Sequence, residues 1–89
     1  MPLIQLFASN FDAGTTASAI GSQTCTEVMV QAHSSNTVLV LLGNASNQVI
    51  ELSAGNALVM PVSNVNQVYA KTSSGSARVN WFAHTMELR

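Results

Sequence analysis

Charge is scarce in this chain. Three basic and four acidic residues make up 8% of the 89 positions, where an ordinary soluble domain carries about 25%. Lys71, Arg78 and Arg89 do not form a patch. Binding of nucleic acid by phosphate neutralisation, which needs a cluster of Lys and Arg, is therefore poorly supported, and no nucleic-acid partner is expected. Steering towards an acidic partner or a membrane surface fails for the same reason. Cys25 is the one cysteine, so no intrachain disulfide can form and packing alone must hold the fold. The longest apolar run, Val38 to Leu42, is far too short to span a bilayer as a helix. The first ten residues hold no Lys or Arg, so they do not read as a secretory leader. The expectation is a protein made in a cytoplasm.

What replaces charge is uncharged polarity. Ser, Thr, Asn and Gln together number 31, while 47% of the residues are hydrophobic. A disordered tract would be apolar-poor and highly charged, so one small folded domain is expected. A surface with so few charges is a solubility risk for a free monomer, and it suits a subunit that lives in an assembly.

Helical periodicity is missing as well. Most of the chain repeats with period two. In Thr26 to His33, Val28, Val30 and Ala32 form one face, and Glu27, Met29, Gln31 and His33 the other. Thr37 to Leu42 is apolar on both faces and belongs centrally in a sheet or between sheets. Gln48 to Leu52 and Ala57 to Val62 flank Ser53-Ala54-Gly55-Asn56. Read as a hairpin, that turn places Leu52 opposite Ala57 and Ile50 opposite Val59. Val49, Glu51, Leu58 and Met60 then share the other side. Pro61 places its strand at an edge or an end.

A second hairpin is expected over Val65–Lys71 and Ala77–His84. It pairs Val68 with Trp81, Ala70 with Val79 and Thr72 with Ala77 on a core face. Gln67, Tyr69, Lys71, Arg78, Asn80 and Phe82 fall on the opposite, amphipathic face, of the kind interfaces use. Pro2 to Ala8 reads as a short strand, and Asn10 to Thr24 as a low-complexity loop, irregular edge strand or arm. The fold class is all-β: a small antiparallel β-sandwich or barrel of six to eight short strands. Residues 1–24 form an N-terminal segment or arm and 25–89 the β-domain.

Chemistry is hard to find. There is no G-x-S-x-G elbow, and the candidates for a triad would be His33 or His84 with Asp12, which read as surface residues. Asp12, Glu27, Glu51 and Glu87 show no pairing that suits glycoside hydrolysis. Cys25 and His33 stand ~26 Å apart on an extended strand and cannot share an ion. A metal would need three copies of His33 or His84 gathered on a threefold axis. Cys25 reads as a small buried hydrophobe. Asn44-Ala45-Ser46 matches a glycosylation sequon but serves turn chemistry. No catalytic residue, metal or cofactor is expected.

The stretch Val49 to Trp81 contains Ile50-Glu51-Leu52-Ser53-Ala54-Gly55, then Val68-Tyr69-Ala70, then Ser73-Ser74-Gly75-Ser76-Ala77 with Val79-Asn80-Trp81. These pieces resemble a recurrent small β-domain of tailed bacteriophages, and Val28 to Gly43 is similar to that family's preceding strand pair. The resemblance covers about two-thirds of the chain. It implies a non-enzymatic virion structural protein, made in the host cytoplasm and carried on the capsid surface. The form it favours is a capsid decoration (cement) protein that binds the major capsid protein as a homotrimer. The same module implies, as alternatives, a head-fibre or tail module that binds host glycans, or a tail or connector subunit. The expected contact residues are Leu58, Met60, Tyr69 and Phe82, with Leu3, Phe7 and Phe11 of the N-terminal segment.

Overall fold

The computed structural model describes residues 2–88, and the side chains of residues 5–85. Eight strands form two four-stranded antiparallel sheets. In chain order they are β1 (Pro2–Ala13), β2 (Ser18–Ala19), β3 (Glu27–Ala32), β4 (Val40–Gly43), β5 (Gln48–Leu52), β6 (Ala57–Met60), β7 (Tyr69–Lys71) and β8 (Ala77–Leu88), with a 3-10 turn at Val65–Gln67 before β7. The first sheet has the order β1-β8-β3-β6 and the second β2-β7-β4-β5. The first strand pairs with the eighth, the second with the seventh, the third with the sixth and the fourth with the fifth. A long antiparallel ribbon rolled up on itself produces this order, and the result is a jelly-roll sandwich.

Period-two patterning explains the layers. Val28, Val30 and Ala32 of β3, Val40 and Leu42 of β4, and Ala77, Val79, Trp81 and Ala83 of β8 are buried between the sheets. Leu52, Val65, Val68 and Ala70 complete the same core. Of the expected central segment Thr37 to Leu42, only Val40 onward is strand: β4 lies inside its sheet, between β7 and β5, while Leu39 before it is 40% exposed. As expected, β6, just before Pro61, lies at an edge.

The two expected hairpins are corrected. Leu52 pairs with Val40, not Ala57, and Ala57 pairs with Gln31. Ala70 pairs with Ser18 and Leu42, while Val79 pairs with Phe11 and Ala32 and Trp81 with Ser9 and Val30. Ser53–Asn56 and Thr72–Ser76 are therefore corners that carry the chain from one sheet to the other. Gly55 at φ 84° and Gly75 at φ 69° supply the left-handed residue in each, a conformation glycine adopts without a Cβ penalty. Val68, Ala70, Thr72, Ala77, Val79 and Trp81 are all buried. They belong to one core between the sheets instead of standing side by side in one sheet. The hairpin between consecutive strands in one sheet is β4–β5, where the Asn44 side chain accepts from the Ser46 and Asn47 N–H groups at 2.9 and 2.8 Å. Asn44 thus closes an Asx turn.

The N-terminal part is woven into both sheets. Strand β1 runs through Ala13 and pairs with β8 along its full length, Ala13 meeting Ala77. Residues 14–24 cross over to the second sheet. Ile20 is buried and donates its N–H to the Val68 carbonyl at 3.0 Å. The Trp81 indole N–H donates to the Ile20 carbonyl at 3.2 Å. Gly21 lies on the indole ring, where a Cβ would stand 2.8 Å from a ring carbon.

Val65–Gln67, expected as the start of a strand, is instead the 3-10 turn. Asn64 caps it, accepting from the Asn66 N–H at 2.9 Å, while the Gln67 side chain accepts from the Asn64 N–H at 3.2 Å. This reciprocal capping box favours a turn over extension.

Cys25 is buried, and its thiol donates to the Val62 carbonyl at 3.3 Å. Burial pushes the thiol above its ordinary 9.0, against a smaller opposing effect of a backbone hydrogen bond at Glu27. The stability this thiol contributes is complete below its unfolded value and is lost as pH rises through the higher folded value. At pH 8 the native protein is expected to react with a disulfide reagent about 100-fold more slowly than the urea-unfolded chain. Equal rates would place the thiol in solvent.

Candidate binding face

The outer face of the first sheet collects side chains from four strands. The sequence sets which ones. On β8 the odd-numbered residues go to the core, so Arg78, Asn80, Phe82 and His84 turn outward. On β3 the outward set is Glu27, Met29 and Gln31. Register then aligns them in rows. One row runs Ala8, Phe82, Met29, Val59 across all four strands. The next runs Asn10, Asn80, Gln31, Ala57. On the other side stand Leu6, His84 and Glu27.

The first row is an apolar band. Phe82, Met29 and Val59 are 42%, 39% and 52% exposed, and Leu6 beside them is 62% exposed. At a strand spacing of about 4.8 Å the band is roughly 14 Å long between its end strands. The amide row forms one wall of a shallow groove of about 390 Å³ lined in part by Ala8, Asn10, Met29, Gln31, Asn80 and Phe82. Charges stand only towards the margins of this face among the described residues. His84 and Glu27 lie 3.8 Å apart at one end, and Arg78 donates to Asp12 at 3.3 Å at the other. The Arg78–Asp12 pair is solvent-accessible, so it contributes at most about 1 kcal/mol. Scattered exposed apolar residues are ordinary; here the strand register places them side by side on one sheet face.

The expected contact residues separate in space. Phe82 lies in the band. Tyr69 is half-buried and pairs with Ala19 and Gly43 in the second sheet, so Tyr69 and Phe82 do not share a face, which corrects that expectation. Leu58 and Met60 turn towards the core at the β6 edge, and Phe7 and Phe11 pack inward against the same core. The Leu3 side chain falls outside the described residues. Leu6, Ala8, Met29 and Val59 were not singled out by sequence. Their signal is the parity of β1 and β3, which becomes a band only through pairings between distant strands.

The end of the sandwich near Arg78 holds a polar cleft of about 440 Å³ lined in part by Asp12, His33, Ser35 and Arg78. His33 Nδ1 accepts the Ser35 N–H at 3.0 Å and lies 2.7 Å from Ser35 Oγ. Arg78 engages the Asp12 carboxylate, and Asn36 holds the Arg78 main chain by accepting its N–H at 2.8 Å and donating to its carbonyl at 2.9 Å. These bonds cap a turn. A hydrolytic triad instead needs an acid that orients the imidazole while the other ring nitrogen faces the nucleophile. Among the described residues no three His, Cys, Asp or Glu side chains are grouped to hold a metal ion.

No family model, curated protein or solved structure matches the chain.

Proposed function

We propose that the chain is a non-enzymatic structural protein of a phage virion, a capsid decoration (cement) protein. It binds the head as a homotrimer, contacts the major capsid protein and stabilises the shell from its outer surface. The observation that carries this reading is the charge-free band Ala8, Phe82, Met29 and Val59 on a protein whose whole surface is poor in charge. Covering a seam between capsomers is driven by buried apolar area, at roughly 25 cal/mol per Å² before association costs are subtracted. A Ser-, Thr-, Asn- and Gln-rich surface leaves few ions to desolvate against the shell. The motif resemblance over Val49 to Trp81 supports the same class. The test is to heat and chelate phage capsids assembled with and without this protein. Complete capsids are expected to survive higher temperature, and equal resistance would overturn the proposal.

A second reading is a head-fibre or tail module that binds host glycans. The amide row Asn10, Asn80 and Gln31 beside the Phe82 ring favours it, because amides match sugar hydroxyls and an aromatic face matches a pyranose ring. A glycan array probed with the full chain separates the two. Silence, with unchanged adsorption of particles lacking the protein, removes this reading.

A further inference from the structure

The four sheet edges are unlike one another. Strand β2 is two residues long, and β6 is four residues long and runs into Pro61. Strand β5 carries Glu51, and its pairing with β4 shifts register at Leu42/Gly43. Short length, proline, charge and bulges are the means by which natural sheets prevent edge-to-edge pairing. Strand β1 carries Pro2 at its start and Asp12 near its end, and none of them on the free side between. It runs for twelve residues without a shift in register, has no lysine, and has Asp12 as its charged residue.

The direction of its main-chain groups follows from β8. The carbonyls of Arg78 and His84 accept from the N–H groups of His33 and Thr26 at 3.0 and 2.7 Å. Even-numbered residues of β8 therefore point their main chain at β3, and odd-numbered ones at β1. In register, Phe7, Ser9 and Phe11 of β1 answer Ala83, Trp81 and Val79. The N–H and C=O groups of Leu6, Ala8, Asn10 and Asp12 consequently point to the open edge. Among the described residues no backbone hydrogen bond meets them there.

We propose that β1 is a docking edge for a second copy of this chain, paired antiparallel about a two-fold axis at Ala8. Among the chain's own edges only β1 matches β1 in length. A two-fold at Ala8 sets Ala8 opposite Ala8 and Leu6 opposite Asn10, keeps each Asp12 away from its mate, and joins outward-pointing main-chain groups on both strands. The apolar band ends on this edge at Ala8. Pairing at Ala8 runs the two bands together across eight strands. The interface is isologous, so copies join in pairs and trimers join as sixes.

Sedimentation velocity and amide hydrogen exchange on the full chain test it together. The assembly mass is expected to be an even multiple of 9.4 kDa. The amides of Leu6, Ala8, Asn10 and Asp12 should exchange as slowly as those of Phe7, Ser9 and Phe11. Ala8→Pro removes an edge-facing N–H and no bond to β8. It should halve the mass and speed exchange at Leu6, Asn10 and Asp12 about 100-fold, with Ser9 and Phe11 still protected. Ala8→Lys, which sets like charges opposite each other, should also halve the mass, and it serves if the proline variant fails to fold. Unprotected exchange at Leu6, Ala8, Asn10 and Asp12 in the unaltered protein would overturn the proposal. An odd-numbered assembly would overturn it too, whatever the exchange pattern.

Discussion

Replacing Trp81 by alanine is expected to lower the unfolding free energy by about 3–5 kcal/mol, the range for deleting a large aromatic from a core. The indole is the largest side chain between the sheets, and it does two things there. Its ring fills the space under residues 14–24, in contact with Gly21. Its N–H satisfies the Ile20 carbonyl, which adds about 1 kcal/mol. A chain of this length has a total stability of roughly 5–13 kcal/mol. The loss is therefore a large share of the whole, and the melting temperature should fall by about 15–30 °C. Trp81→Phe keeps most of the volume and loses the hydrogen bond, so its cost should be distinctly smaller. Urea unfolding followed by circular dichroism reads both. A loss under about 1 kcal/mol for Trp81→Ala would mean that the crossover of residues 14–24 does not close on the indole.

The same tryptophan shows what sequence could and could not deliver. Its burial follows from alternation along Ala77 to His84, and the strands and their inward faces follow from period two throughout. Which strands pair does not follow. Ser53–Asn56 and Thr72–Ser76 have the composition of hairpin loops, and each holds a left-handed glycine. That chemistry reverses the chain equally well within a sheet or between two sheets. Closure of the roll depends on β1 meeting β8, a pairing between the two ends of the chain that local patterning cannot signal.

The candidate site was legible to the same degree. Phe82 is outward by parity on β8 alone. The alternation Phe7, Ser9, Phe11 against Leu6, Ala8, Asn10, Asp12 persists past Ala8 into the segment expected as a loop or arm. Carried through to Ala13, it turns both phenylalanines inward and puts Leu6 and Ala8 on the surface. Grouping Tyr69 with Phe82 required the hairpin that the fold does not contain.

If the band is the proposed capsid contact, Met29→Glu is expected to abolish binding to the shell while leaving the fold intact. Met29 lies in the middle of the band, flanked in register by Phe82 and Val59. In the free chain a carboxylate at this exposed position reaches water, so stability should change by about 0.5 kcal/mol or less. Against a capsid seam the same carboxylate is buried without a partner, which costs about 3–5 kcal/mol. Affinity should then fall ~10²–10³-fold or more. Lys71→Glu, on the second sheet beside Leu41, reverses a charge far from the band and should leave binding unchanged. Co-sedimentation of each variant with capsids lacking the protein, next to its thermal melt, makes the comparison. Full binding by Met29→Glu together with loss in Lys71→Glu would move the contact surface to the second sheet, where Tyr69 stands. Loss in both variants with intact melts would mean that both faces are covered, as in a subunit enclosed on two sides by its neighbours.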